Sequence, residues 1–165
     1  MDIKIMIDEL IMMMSVNGYP IQMPISTSFI KSIMDIDTDK NIKPLLKNLG
    51  FEVKKLLLNQ PDFITFLELM DGFEFNGLTL FSFAVPEPTV NNVFLMNDFY
   101  RNNNDYIDPE LEHRLVIGED SISLFTYDTK TNLFEIRDNV SSESVYGSFN
   151  NFSDFLSELL DTVRV

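Results

Sequence analysis

The side chains best suited to chemistry in this chain are its carboxylates: 26 Asp and Glu stand against 12 Lys and Arg, with one histidine and no cysteine. Without cysteine there is no disulfide, no thiolate metal site and no cysteine nucleophile, which is compatible with a reducing compartment. His113 lies between Glu112 and Arg114. No glycine-flanked serine elbow accompanies it, so it reads as a surface or strand-end histidine rather than a general base. Metal centres built on histidine and thiolate fail by count. Asp35, Asp37 and Asp39 alternate like the opening of a calcium loop, but Lys40 stands where that loop needs glycine and Leu46 where it needs glutamate. They read as solvated turn carboxylates. The glycines Gly72, Gly77, Gly118 and Gly147 are isolated, so no phosphate-cradling loop is present. Paired carboxylates for glycoside cleavage are open to so acidic a chain, yet no pair stands out. The expectation is a protein that is not an enzyme and takes no cofactor or metal.

The formal charge is −14, and its placement is uneven: residues 1–55 hold seven acids and seven bases, residues 56–165 nineteen acids and five bases. Such a surface repels phosphate backbones and steers a basic partner, so direct nucleic-acid binding is not expected. Acidity for solubility alone is the plain alternative. Asp2, Lys4, Asp8 and Glu9 interrupt the apolar N-terminus and no run reaches the roughly 18 apolar residues of a membrane span. A soluble, cytoplasmic, membrane-free protein is expected, one domain over residues 1–165 with 45% hydrophobic residues to build a core.

The elements that must position these groups are organised around residues 60–83. Pro61 suits the first position of a helix. Phe63, Ile64, Phe66, Leu67, Leu69 and Met70 then leave only a narrow polar stripe of Asp62, Thr65, Glu68 and Asp71, so this helix is mostly buried, with Gly72 as its stop. Asn76-Gly77 is a type I′ turn signal that pairs Phe75 with Leu78 and Phe73 with Leu80. Upstream, Ile3, Met6, Ile7, Leu10, Met13 and Met14 give a helix over 1–15, ended by Asn17-Gly18. Its methionines are adaptable core filler rather than a binding groove. Residues 19–28, with Pro20 and Pro24, read as an extended connection. Residues 43–59 repeat apolar groups at helical intervals, with Gly50 as a weak point or break. Lys43, Lys47, Lys54 and Lys55 make this stretch cationic, a solvated face or one docked on acids. Residues 1–59 thus form a helical N-terminal part.

Downstream, 84–89 is a proline-punctuated loop, and 93–101 is a helix capped by Asn91-Asn92. Residues 102–112 are polar, acidic and carry one aromatic, Tyr106, which makes them the best exposed recognition loop. Strands over 114–117, 121–128 and 133–137 are joined by short loops, hence an antiparallel meander. Apolar groups on both faces of the second strand require a cover on each side. Val145–Phe149 adds a further strand, and Phe152, Phe155, Leu156, Leu159, Leu160 and Val163 form a closing helix with Asn151 as its cap. The fold class is α+β: a central, mostly antiparallel sheet of hairpin plus meander packed with helices.

Three motifs in this order, Met-Asp-Gly-Phe-Glu-Phe-Asn-Gly-Leu at 70–78, Val-Ile-Gly-Glu-Asp-Ser-Ile-Ser-Leu-Phe-Thr-Tyr-Asp at 116–128 and Ser-Phe-Asn-Asn-Phe-Ser-Asp-Phe-Leu-Ser-Glu-Leu-Leu at 148–160, resemble the SUKH superfamily, especially its YrhA-like bacterial branch. The resemblance covers roughly residues 60–160. This chain departs from many relatives in lacking tryptophan near the hairpin and in its long methionine-rich start. The resemblance implies an α+β fold and a non-enzymatic role: bacterial members are mostly immunity proteins that neutralise a cognate polymorphic or contact-dependent toxin, often a nuclease, and a fungal branch regulates cell-wall synthesis. Joined to the charge, it leads us to expect a toxin-facing patch of Asp98, Asp105, Asp108, Glu110, Glu112, Glu119 and Asp120, with Tyr106 as aromatic anchor. The partner would be a toxin with a basic surface, bound by a monomer or weak homodimer. A regulatory module that binds a peptide or host protein is the competing class, and a carboxylate hydrolase a third.

Overall fold

The computed structural model describes residues 2–38, 44–84, 91–102 and 105–164. Asp39, Lys40, Lys43, the proline loop at 85–89, and Asn103 and Asn104 of the recognition loop lie outside these residues, as does the side chain of Leu46. Helices α1 (Ile3–Val16), α2 (Thr27–Met34), α3 (Pro44–Asn59) and α4 (Pro61–Leu69) lead into β1 (Phe73–Phe75) and β2 (Leu78–Leu80). Helix α5 (Val93–Asn102) follows, then β3 (Arg114–Glu119), β4 (Ser123–Asp128), β5 (Leu133–Asp138), β6 (Val145–Phe149) and α6 (Phe152–Asp161). The six strands form one antiparallel sheet in chain order. Helices thus pack on an antiparallel sheet, the α+β arrangement expected.

The hairpin forms in the register that its turn dictates, Phe73 opposite Leu80 and Phe75 opposite Leu78, with positive φ at both Asn76 (48°) and Gly77 (81°). It reaches the meander through a short junction in which Leu80 pairs with Gly118 and Thr79 with Glu119. Gly118 sits where the β3–β4 register slips, and a Cβ there would stand 2.3 Å from the Thr79 carbonyl oxygen. Gly118, one residue beyond the strand expected over 114–117, is therefore a strand position at which two backbones nearly touch.

Cross-strand partners divide β4 into two contrasting sides. Phe125 and Tyr127, with Leu115 and Phe134, face an apolar layer closed by α4 and α6. There Phe155 stacks on Phe134 at 5.2 Å and meets Phe125 edge-on at 5.9 Å, while Phe152 meets Phe63 edge-on at 4.8 Å. Such offset and edge contacts add about 0.5–1.5 kcal/mol per pair beyond the area they bury. On the other side Leu124 and Thr126 lie beside Arg114, Glu135 and Arg137, and the whole strand is buried.

Three local readings need correction. Helix α3 runs unbroken through Gly50, whose missing Cβ makes room for Ile36: a Cβ would lie 2.0 Å from Ile36 Cδ1. Helix α4 ends on Met70 in an extended conformation, ahead of Gly72, and Asp71 leaves the helical stripe. Buried, its carboxylate accepts from Ser82 Oγ at 3.0 Å, Phe83 N at 2.7 Å and Ala84 N at 3.1 Å, pinning the chain as it leaves β2. Finally, α2 begins inside the stretch read as extended, at a Ser26 cap that accepts from Phe29 N. Lys54 docks on Asp37 at 2.7 Å, so part of the cationic stretch is used within the N-terminal third.

Gly118→Ala should lower stability by about 1–3 kcal/mol, because a backbone oxygen cannot yield as a side chain would. A fall in the urea midpoint with an unchanged slope checks this.

Candidate functional site

Strand β2 is too short to cover β3, and helix α5 completes the job. Asn97 is fully buried: its Nδ2 donates to Val116 O at 2.8 Å and its Oδ1 accepts from Val116 N at 2.8 Å, as a neighbouring strand would. One turn on, Arg101 Nη2 donates to Arg114 O at 2.9 Å and to Glu52 Oε1 at 2.9 Å, tying α5 to β3 and α3. Asn92 caps the helix, its Oδ1 accepting from Phe94 N at 2.9 Å. With residues 93, 97 and 101 turned inward, Phe99 is left outward and 58% exposed.

The acidic loop folds over the charged side of β4. Asp108 accepts from Glu110 N at 2.9 Å, turning the chain so that Leu111 is buried. Asp108 also accepts from the Ser142 hydroxyl. Glu110 pairs with Arg114 at 3.0 Å and Arg137 at 3.7 Å. Glu135 bridges the same arginines, at 3.0 Å to Arg114 and 2.8 Å to Arg137, and Asp128 lies 3.5 Å from Arg114. Breaking the buried Arg137–Glu135 pair would cost about 3–5 kcal/mol, since an uncompensated charge is left behind.

Between α5, this loop and the β5–β6 turn lies a cleft of about 310 Å³, lined by Phe99, Tyr100, Tyr106, Asp108, Leu111, Leu124, Asn139 and Val140. Tyr106 is 70% and Val140 90% exposed at its mouth. The Tyr100 hydroxyl donates to Glu119 at 3.4 Å, and its pKa is pushed up to about 12, first by burial and then by the Glu119 charge. Across the β5–β6 turn the Tyr146 hydroxyl of β6 donates to Asp138 at the end of β5, which holds the Asp138 carboxyl below its ordinary pKa, helped by the N–H groups of Ser141 and Val140.

The expected patch separates into groups. Tyr106 and Asp108 line the cleft, and Glu119 adjoins it through Tyr100. Asp105 and Glu112 are exposed on the same loop. Asp98, on the outer side of α5, accepts from Asn102 Nδ2 at 2.8 Å. Asp120 caps the β3–β4 turn, accepting from Ile122 N at 2.9 Å and Ser123 N at 2.7 Å. Glu110, by contrast, is bound up in the arginine layer, and its role is to hold the loop down. Phe99, Tyr100, Leu124 and Val140 were absent from the expected patch. Phe99 and Tyr100 carried one sequence signal, an adjacent aromatic pair on the 93–101 helix, and Leu124 and Val140 carried none. Among the described residues, no group of three or more His, Cys, Asp or Glu could hold a metal ion, and no helix is long and apolar enough to cross a membrane.

The chain is 54% identical over 127 residues to the uncharacterized protein YrhA of Escherichia coli (strain K12), a match that takes in 77% of this chain and 92% of that protein. No family model matches the chain.

Asn97→Leu should cost roughly 2–4 kcal/mol, since the Val116 N–H and C=O both lose a buried partner; chemical denaturation measures it. Tyr146→Phe should return the Asp138 pKa toward its ordinary value. A depressed carboxyl supports the fold above its unfolded pKa and loses that support as pH falls through the folded value. The variant should therefore show Asp138 titrating at higher pH in a carbon-detected NMR titration.

Proposed function

This chain belongs to the YrhA family, and from that premise we propose that it is a SUKH-superfamily immunity protein that binds and neutralises a cognate bacterial toxin in the cytoplasm. The observation that carries the reading is how the chain distributes its charge. All four arginines are engaged with carboxylates of the same chain: Arg101 with Glu52, Arg114 with Glu110 and Glu135, Arg137 with Glu135, and Arg164 with Glu9. The formal charge is still −14. Carboxylates of the 105–112 loop and of α5 stand beside exposed aromatic side chains, the composition that anchors charged interfaces. A toxin that grips phosphates must be basic where it holds them, and an acidic face can occlude that surface with electrostatically steered association.

Affinity capture from the native cell, followed by a toxicity assay of the captured partner, tests the reading. The expected partner is a basic toxin whose activity falls when this protein is added in equimolar amount. A captured regulatory protein without toxicity would instead favour the peptide-recognition alternative, for which the cleft is the supporting feature. With the partner in hand, Asp105→Asn combined with Glu112→Gln should slow association about five- to tenfold at low salt and flatten its ionic-strength dependence. Unchanged rates across ionic strength would remove the acidic face from the mechanism.

A further inference from the structure

We propose that the cleft between α5, the 105–112 loop and the β5–β6 turn is a receptor for an arginine side chain presented by a protein partner. This deepens the acidic-surface reading and rests on it for the partner's basic character, while the cleft's chemistry stands on its own geometry.

The cleft has an apolar floor, aromatic walls and acidic edges. Leu111 and Leu124 are buried beneath it and Val140 stands at its mouth, a lining suited to the methylene stem of a long side chain. Phe99, Tyr100 and Tyr106 line it together, and the Phe99 and Tyr100 rings meet edge-on at 5.8 Å. Ring faces attract a guanidinium both electrostatically and by stacking. Asp108 lines the same space and Glu119 adjoins it through Tyr100, and among the described residues neither carboxylate takes part in an ion pair. Among the described residues, no Lys or Arg lines the cleft. The volume of about 310 Å³ is at the small end of ligand pockets, roughly 300–1,000 Å³, which suits one extended side chain better than a cofactor.

The neighbouring structure shows the same chemistry already filled. On this side of the sheet Leu124 lies opposite Arg137, and the two internal arginines Arg114 and Arg137 rest among Glu110, Asp128 and Glu135. Arg137 Nη1 donates to Ser142 O at 2.7 Å, and the Ser142 hydroxyl donates in turn to Asp108 at the cleft. The cleft continues this layer outward, with carboxylates and apolar floor in place and the cation left to be supplied from outside.

The test uses the full chain, isotope-labelled, titrated by NMR with the peptide acetyl-Gly-Arg-Gly-amide and with its citrulline counterpart, which keeps the shape and removes the charge. The arginine peptide is expected to shift resonances of Phe99, Tyr106, Leu111 and Val140 and to bind about tenfold tighter than the citrulline peptide. Tyr106→Ala, at an exposed position that leaves the fold intact, is expected to weaken it roughly fivefold. Equal affinity for the two peptides, shifts spread over the acidic surface away from the cleft, or no effect of Tyr106→Ala would each overturn the proposal. These readouts need no knowledge of the natural partner, so the cleft can fail while the immunity reading stands, and the captured partner can refute that reading while the cleft stands.

Discussion

Strand β4 is buried along its whole length and on both sides, and that constraint shapes everything placed around it. A strand so enclosed needs two covers, and the chain builds them from opposite chemistries. Phenylalanines of α4 and α6 close one side, where Phe134, Phe155, Phe152 and Phe63 form a continuous aromatic contact. The other side is closed by Arg114 and Arg137 with their carboxylates, and by a loop those arginines hold down. Apolar packing tolerates small shifts, whereas buried charges demand their partners in place. The charged cover therefore fixes the position of the acidic loop more firmly than its polar composition suggests.

The site follows from that asymmetry. Because β2 ends early, Val116 would be left with unmet backbone groups on its open side, and Asn97 of α5 supplies them. The helix that repairs the sheet also presents Phe99 and Tyr100 to the charged side. The loop that buries Leu111 leaves Tyr106 exposed opposite them. A cleft with apolar floor and acidic edge is thus a by-product of covering the sheet, and its rim lies on exposed turns free to vary without disturbing the core.

Much of the fold was legible in the chain before any coordinates. Asn76-Gly77 between alternating apolar residues settled a register, because the pair best tolerates the positive φ that a type I′ turn requires at both central positions. The spacing from Phe152 to Leu160 and the cap at Asn151 marked α6 in the same way. Misreadings fell where a residue's role depends on a distant partner. Gly50 looked like a helix breaker until Ile36 occupied the space its Cβ would fill, and Asp71 looked like one more polar position until the 82–84 backbone closed on its carboxylate.

Local sequence therefore determined the periodicities, turns and caps, the chain's acidity, and its want of cysteine, for these depend on neighbours within a few residues. Only the tertiary structure decided which carboxylates face outward. Glu110 and Glu112 are two residues apart and chemically alike, yet one lies against Arg114 and Arg137 and the other is exposed. The distinction comes from where β3 and β5 bring their arginines, across separations that no local pattern encodes.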